Sequence, residues 1–168
     1  MASPNERLLY GAKTDNTDMI NDVFGLPEGE WDVNFQDGIG NTALHYAASA
    51  PAPSALEMLL EREGTDVDLQ NRLDGATPLH MAVKLANEGA RQGVIDMLLD
   101  AGADPRIKDK HGSLVADYLN PQDSEMDKEI QQAINLAIAE FSLGGIDSAD
   151  IADDSDGEPG SGSGSESD

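Results

Sequence analysis

One nine-residue pattern occurs twice in this chain, and it constrains the fold more than any other feature of the sequence. The segment Gly40–Ala48 reads GNTALHYAA, and the segment Gly75–Val83 reads GATPLHMAV, an offset of 35 residues between positions 40 and 75. A partial third copy, KDKHG, begins at Lys108. A repeat of this length predicts supersecondary units that stack because none can bury its apolar face alone.

The repeated segments also carry the local signals of helices. Thr42 and Thr77 stand where a hydroxyl can cap a first helix, and Pro78 occupies an early helical position. The pattern resembles the ankyrin repeat, whose period is about 33 residues and whose signature is T-P-L-H-x-A. This resemblance implies an all-α fold, an ankyrin-repeat solenoid of stacked helix-turn-helix units joined by short β-hairpin loops.

The chain divides by composition near residue 144. From Gly144 onward the only large apolar residues are two isoleucines, so this segment is predicted to be a disordered acidic C-terminal tail. Degenerate units at both ends are predicted to act as caps, as solenoids require. The predicted boundaries are 1–143 for the ankyrin-repeat domain (N-terminal capping unit 5–33, repeats 34–66 and 67–103, degenerate repeat and C-terminal cap 104–143) and 144–168 for the tail.

Charge restricts the partners. The chain has 10 Lys+Arg and 33 Asp+Glu, a formal net charge of −23, which repels nucleic-acid phosphates and anionic lipid headgroups. We therefore expect no direct contact with nucleic acid or membrane, and a basic protein as partner. No run of about 18 apolar residues is present, and the absence of Cys fits an intracellular protein. We expect a monomer when free, in the cytosol, the nucleus or both.

No catalytic, metal or cofactor site is predicted. His45 and His80 occupy equivalent positions in successive repeats, where the resemblance implies a structural role, and neighbouring helices lie about 10 Å apart, too far to share one zinc ion. The tail segment Asp153–Gly157 fails as a calcium loop, because Ala152 and Ser163 would stand where carboxylates are needed. The sequence contains no phosphate-binding, esterase or metalloprotease motif, and we expect no enzyme.

The resemblance implies that the partner binds the concave face, which hairpin tips and first helices form. Ile39 and Leu73 are predicted apolar anchors at two tips, and the alternative is that they pack between hairpins. Trp31, the only Trp, is either an anchor or part of the N-terminal cap. The full set of candidate contacts is Trp31, Asp37, Ile39, Asn41, Tyr46, Leu73, Asp74, Met81 and Lys84.

Two functions remain open at this point. The first is a non-catalytic protein–protein interaction module that escorts a basic protein, such as a ribosomal protein or a histone, on its concave acidic face. The alternative is a regulatory adaptor or assembly factor that docks on a larger complex through the apolar anchors. Ser155, Ser163 and Ser165 each precede an acid by three residues, a pattern typical of acidophilic kinase sites and also common by chance in such tails.

Overall fold

The computed structural model describes residues 2–150, with side chains described for residues 2–144. This part of the chain contains seven α-helices and one 3₁₀ helix, and none of its residues lies in a β-strand. The all-α prediction is confirmed, and the hairpins are tight turns without strands. The helices are α1 Pro4–Thr14, α2 Thr17–Phe24, α3 Ala43–Ser49, α4 Pro53–Glu61, α5 Pro78–Val83, α6 Glu88–Asp100 and α7 Glu125–Asp150, and the 3₁₀ helix is Val115–Tyr118.

Helix starts follow the predicted capping chemistry. The hydroxyls of Thr42 and Thr77 accept hydrogen bonds from the backbone N–H groups of His45 and His80, three residues into α3 and α5. Ser3 caps α1 in the same way. Each cap satisfies one of the backbone donors that a helix start leaves unpaired, a contribution of about 1 kcal/mol.

The helices stack in two rows. In one row α1, α3, α5 and the 3₁₀ helix contact one another in order, and in the second row α2 contacts α4 and α4 contacts α6. Ala47, Ala48 and Ala82 are fully buried between the rows, and their small side chains let the short helices approach closely. The predicted stack of helix-turn-helix units is therefore confirmed. Its largest fully buried apolar side chains include Leu8, Ile20, Leu56, Leu59, Leu79, Ile95, Leu98, Ile130 and Ile134.

The fourth unit departs from the others, because its first helix is a single 3₁₀ turn. Leu114 takes the place of the capping threonine, and Asp117 takes the place of the histidine. The Asp117 carboxylate accepts a hydrogen bond of 2.8 Å from the Leu114 N–H. Pro121 disfavours helical geometry at Asn120, so the turn cannot extend into an α-helix.

A buried ion pair joins α6 to the first turn of α7. Arg91 Nη2 lies 2.7 Å from Asp127 Oδ1, and the two side chains are only 12% and 7% exposed. Arg91 Nη1 also donates to the Leu85 carbonyl at 2.6 Å, and Asp127 Oδ2 accepts from the Asn120 N–H at 2.9 Å. Both charges are thus held by several partners inside the protein.

The chain divides into two compact units, the first ending at Ile134 and the second beginning at Asn135. Helix α7 continues to Asp150, past the predicted start of the tail at Gly144. The composition of this segment argued against a packed core, whereas extending an existing helix needs only local hydrogen bonds. Residues 151–168 of the predicted tail lie outside the described residues. No helix within the described range is both long and apolar enough to cross a membrane.

Candidate functional site

Three hairpins and the side chains that contact them form the surface predicted to bind a partner, here called the hairpin surface. Its hairpins comprise residues 36–41, 71–76 and 108–113. Each hairpin is closed by a backbone hydrogen bond, from Asp37 N to Asn41 O, from Asn71 N to Ala76 O and from Asp109 N to Ser113 O.

Asp37 and Tyr46 hold each other at the first hairpin. The Tyr46 hydroxyl donates to Asp37 Oδ2, and Asp37 Oδ1 accepts from the N–H groups of Ile39 and Asn41 at 3.1 and 3.0 Å. Burial raises the pKa of Asp37, but these hydrogen bonds outweigh it and lower the pKa below its ordinary value. Burial and the bond to Asp37 raise the pKa of Tyr46. The aspartate is therefore a charged structural group at the hairpin.

The same arrangement recurs at the third hairpin. The Tyr118 hydroxyl donates to Asp109 Oδ2, nine residues away as in the first pair. Burial raises the pKa of Asp109, but the bonds from Tyr118 and from the Ser113 and His111 amides lower it to about 2. The sequence analysis missed this second pair, although the shared Asp-to-Tyr spacing was a usable signal.

Adjacent hairpins are joined by hydrogen bonds between backbones. The Arg72 N–H donates to Ile39 O at 2.8 Å, and the Lys110 N–H donates to Asp74 O at 2.9 Å. The Arg72 guanidinium also donates to the carbonyls of Asp37 and Gly38 at 3.1 Å. These bonds fix the spacing of the hairpins, so their tips form one continuous surface.

The two predicted anchors lie exposed on this surface. Ile39 is 43% and Leu73 is 62% exposed, and the Leu73 N–H donates to Ile39 O at 3.3 Å, so the two residues are neighbours. The alternative prediction was that both pack between hairpins. Exposed large apolar side chains on adjacent tips are instead available to a partner.

The hairpin surface carries five cations, Lys13, Arg72, Lys84, Lys108 and Lys110, of which only Lys84 was among the predicted contacts. Lys13 Nζ lies 4.5 Å from the centre of the Tyr46 ring, and Lys84 Nζ lies 4.6 Å from that of Tyr118. Arg72 and Lys110 lie at the hairpins, where Lys110 Nζ donates to Arg72 O. Among the described residues, none of the five has a carboxylate oxygen within 4.0 Å. The predicted acidic rim around the anchors is thus offset by positive charge.

The remaining candidates lie in different environments. Asn41 is only 4% exposed and accepts a hydrogen bond of 2.9 Å from Asn71 Nδ2, so it joins two hairpins and cannot contact a partner directly. Asp74 and Met81 are half-buried and Lys84 is exposed. Trp31 packs against Phe24 with ring centres 5.1 Å apart and donates its indole N–H to Leu26 O, as expected for part of the N-terminal cap.

His45 and His80 link each repeat to the next hairpin. Each is fully buried, and Nδ1 accepts from the N–H of the capping threonine at 3.0 and 3.2 Å. Since Nδ1 accepts, Nε2 carries the proton, and it donates to Ala76 O at 2.8 Å and to Ser113 O at 3.1 Å. Burial lowers the pKa of both histidines despite the bonds to the carbonyls, and the neutral rings act as structural links.

This geometry predicts that stability falls as the pH drops below about 6.5. The unfolded chain binds protons at an ordinary histidine pKa near 6.5, whereas the folded histidines resist protonation. The free energy of unfolding should therefore be level above about pH 7.5 and decrease on acidification, by at most about 1.4 kcal/mol per pH unit for each histidine. Urea unfolding between pH 8 and pH 5.5 measures this slope.

The matched variants are His45→Gln, His80→Gln and His111→Gln, the last at an exposed histidine. Each of the first two should flatten the pH slope, and the third should leave it unchanged. A wild-type slope in the double variant His45→Gln/His80→Gln would show that other groups cause the effect.

The predicted phosphorylation sites have no described position in the structure. Ser155, Ser163 and Ser165 lie outside the described residues. Within the described residues, no group of three or more His, Cys, Asp or Glu is arranged to hold a metal ion.

Comparison with known proteins agrees with the geometry of the stack. A family model described as ankyrin repeats (3 copies) matches residues 8–109. The chain is 30% identical over 146 residues to the ankyrin repeat-containing protein YGL242C of Saccharomyces cerevisiae, covering 82% of this chain and 81% of that protein. It is also 38% identical over 87 residues to neurogenic locus notch homolog protein 1 of Xenopus laevis, covering 52% of this chain but only 3% of that protein. The Mus musculus homologue is 41% identical over 78 residues, again with 3% of its length covered.

Proposed function

Because this chain belongs to the ankyrin-repeat family, a non-enzymatic module that generally mediates protein–protein interactions, we propose that it is an adaptor that docks on a protein partner through the hairpin surface. The observation that carries this proposal is the exposure of Ile39 and Leu73 on adjacent hairpins. Apolar side chains at the centre of a rigid surface provide most of the binding energy in many interfaces.

The arrangement around the anchors supports this docking role. The hairpins are held by hydrogen bonds between backbones, so the anchors need little reordering when a partner binds. Tyr46 and Tyr118 present ring faces that Lys13 and Lys84 cover, which adds polar groups at the margin of the apolar centre. A partner with an apolar centre and a neutral or acidic margin fits this surface best.

The test compares partner recovery by three forms of the full chain, the wild type, Ile39→Ser/Leu73→Ser and the control Leu136→Ser. Leu136 is 63% exposed, much like Leu73, but lies in the second unit. Losing two anchors that a partner would bury should weaken binding by about 100-fold or more, since burying each apolar side chain contributes about 1.5–3 kcal/mol.

Quantitative mass spectrometry of affinity-purified complexes from the native host measures this effect. The same protein should be recovered with the wild type and with Leu136→Ser, and be lost with the double variant. Undiminished recovery by the double variant would exclude the hairpin surface as the docking site. Unchanged melting temperatures of all three forms would show that the substitutions do not act through stability.

A second candidate function is escort of a basic protein, such as a ribosomal protein or a histone. The net charge of −23 supports it, because long-range attraction speeds association with a cationic partner. The five cations of the hairpin surface do not favour a basic segment at that surface. An escort role therefore needs a different part of the molecule.

A further inference from the structure

An apolar pocket opens between α4 and α6, on the row of helices away from the hairpins. Its volume is about 160 Å³. An apolar cavity of about 150 Å³ accommodates a benzene ring, so this pocket has room for one leucine or phenylalanine side chain. The residues that line it are Pro51, Pro53, Ala90, Gly93, Val94 and Met97.

Exposed carboxylates lie on both helices that line this pocket, and they are here called its acidic border. Glu57 lies one turn after Pro53 on α4, and Asp96 and Asp100 follow Gly93 at helical spacing on α6. Burial and the nearby Asp100 carboxylate raise the pKa of Asp96, which indicates that these two negative charges repel each other. A cation from outside would relieve that repulsion.

The described part of the chain pairs no cation with these acids. Arg91 is the only Lys or Arg within α4 and α6, and its guanidinium is paired with Asp127. Arg62, which follows α4, is held 4.9 Å from the ring centres of both Phe24 and Trp31. Within the described range, Glu57, Asp96 and Asp100 have no Lys, Arg or His nitrogen within 4.0 Å.

We propose that this pocket and its acidic border, here called the outer-helix surface, bind a Lys/Arg-rich helix of a protein partner. One apolar side chain of that helix enters the pocket, and its cations face Glu57, Asp96 and Asp100. An amphipathic helix that inserts an apolar side chain while its charges set orientation is a common recognition mode. This inference rests on the second candidate function, a basic partner, and assigns that partner a surface separate from the apolar anchors Ile39 and Leu73.

The experiment uses the full chain and a fluorescein-labelled helical peptide in which lysines and arginines surround one central leucine. Gly93→Phe fills the pocket, and Gly93→Ala is its control, because both remove the helical glycine but alanine leaves the pocket open. A Cβ at Gly93 meets no atom within 4 Å, so both variants should fold. Anisotropy titration should give about tenfold or more weaker binding for Gly93→Phe than for Gly93→Ala, and a similar loss when serine replaces the peptide leucine.

The charge contribution is tested with two variants that change the net charge equally. Glu57→Lys/Asp96→Lys alters the pocket border, whereas Glu28→Lys/Glu30→Lys alters exposed acids after α2. The first should weaken peptide binding several-fold more than the second at about 0.05 M salt, and the difference should shrink at about 0.3 M salt.

The results of these peptide titrations distinguish a failure of the outer-helix surface from a failure of the two proposed functions. Peptide binding that is equal in Gly93→Phe and Gly93→Ala, and equal in the two charge variants, would overturn the outer-helix surface and leave a basic partner in place. No binding of the peptide up to about 1 mM would overturn both the surface and the basic partner. The hairpin-surface proposal has its own variants and is unaffected by either result.

Discussion

Replacing Arg91 by methionine is expected to lower the free energy of unfolding by about 3–5 kcal/mol, because the buried side chain of Asp127 would lose its cationic partner. Asp127 is 7% exposed, and its closest cation is the Arg91 guanidinium at 2.7 Å. Arg91 also holds the Leu85 carbonyl, so the substitution releases the loop before α6 as well. Urea or guanidinium unfolding of the full chain measures the change.

Two further variants show whether the lost stability comes from breaking the buried ion pair. Lys128→Met removes a cation from an exposed pair, in which Lys128 Nζ lies 3.7 Å from Glu125 and the side chains are 57% and 80% exposed; this should cost less than about 1 kcal/mol. The double variant Arg91→Met/Asp127→Leu should be more stable than Arg91→Met alone, since both charges are then absent. Equal losses in the free energy of unfolding for Arg91→Met and Lys128→Met would show that the Arg91–Asp127 ion pair does not stabilise the contact between α6 and α7.

Gly40→Ala is expected to destabilise the protein by about 3 kcal/mol or more through two separate effects. Gly40 has a φ of 85°, a left-handed conformation that costs an alanine about 1–2 kcal/mol. Its Cβ would also lie 2.4 Å from the Arg72 backbone nitrogen, which donates to Ile39 O. The first two hairpins would have to separate and would lose that hydrogen bond.

Gly112→Ala separates the two effects. Gly112 has a φ of 74°, but its Cβ would meet no atom within 4 Å, so only the backbone strain of about 1–2 kcal/mol remains. Gly75 has a φ of 65° and a Cβ position 2.9 Å from Lys110 N, and Gly75→Ala should resemble Gly40→Ala. Denaturant unfolding gives the ranking, and equal losses at Gly40 and Gly112 would show that hairpin spacing is unimportant.

Much of the fold could be predicted because the repeat constrains it twice. Thr42 and Thr77 cap helices and His45 and His80 bond to the next hairpin in the same way, so one correct interpretation transfers to the second copy. The 3₁₀ turn at Val115–Tyr118 was harder, since the third copy lacks the threonine and proline that start a helix. A sequence motif that occurs once therefore predicts less about local structure than one that recurs in several repeats.

The candidate site was predicted only in part, because exposure depends on contacts between repeats. Ile39 and Asn41 are two residues apart in the same tip, yet one is exposed and the other buried. The sequence predicted Asp37 only as a candidate partner contact, whereas in the structure the Tyr46 hydroxyl and two backbone amides donate to its oxygens. Lys13 lies in α1, outside the two repeats that carry the nine-residue pattern, and no local sequence signal indicates that it covers the Tyr46 ring.

The two proposed surfaces have different chemistry. The hairpin surface combines the exposed anchors Ile39 and Leu73 with five cations, and the outer-helix surface combines an apolar pocket with acids that have no ion-pair partner among the described residues. A module with both could hold two different proteins at once. Variants at Leu73 and at Gly93 would then affect separate partners.

In each histidine hydrogen bond the donor precedes the acceptor in the sequence, so the ribosome synthesises the donor first. His45 and His80 donate to carbonyls that lie 31 and 33 residues further along the chain. A nascent chain that has reached only the second repeat therefore contains His80 without its acceptor Ser113. Each of these two repeats therefore lacks one buried hydrogen bond until the hairpin that follows it has been synthesised.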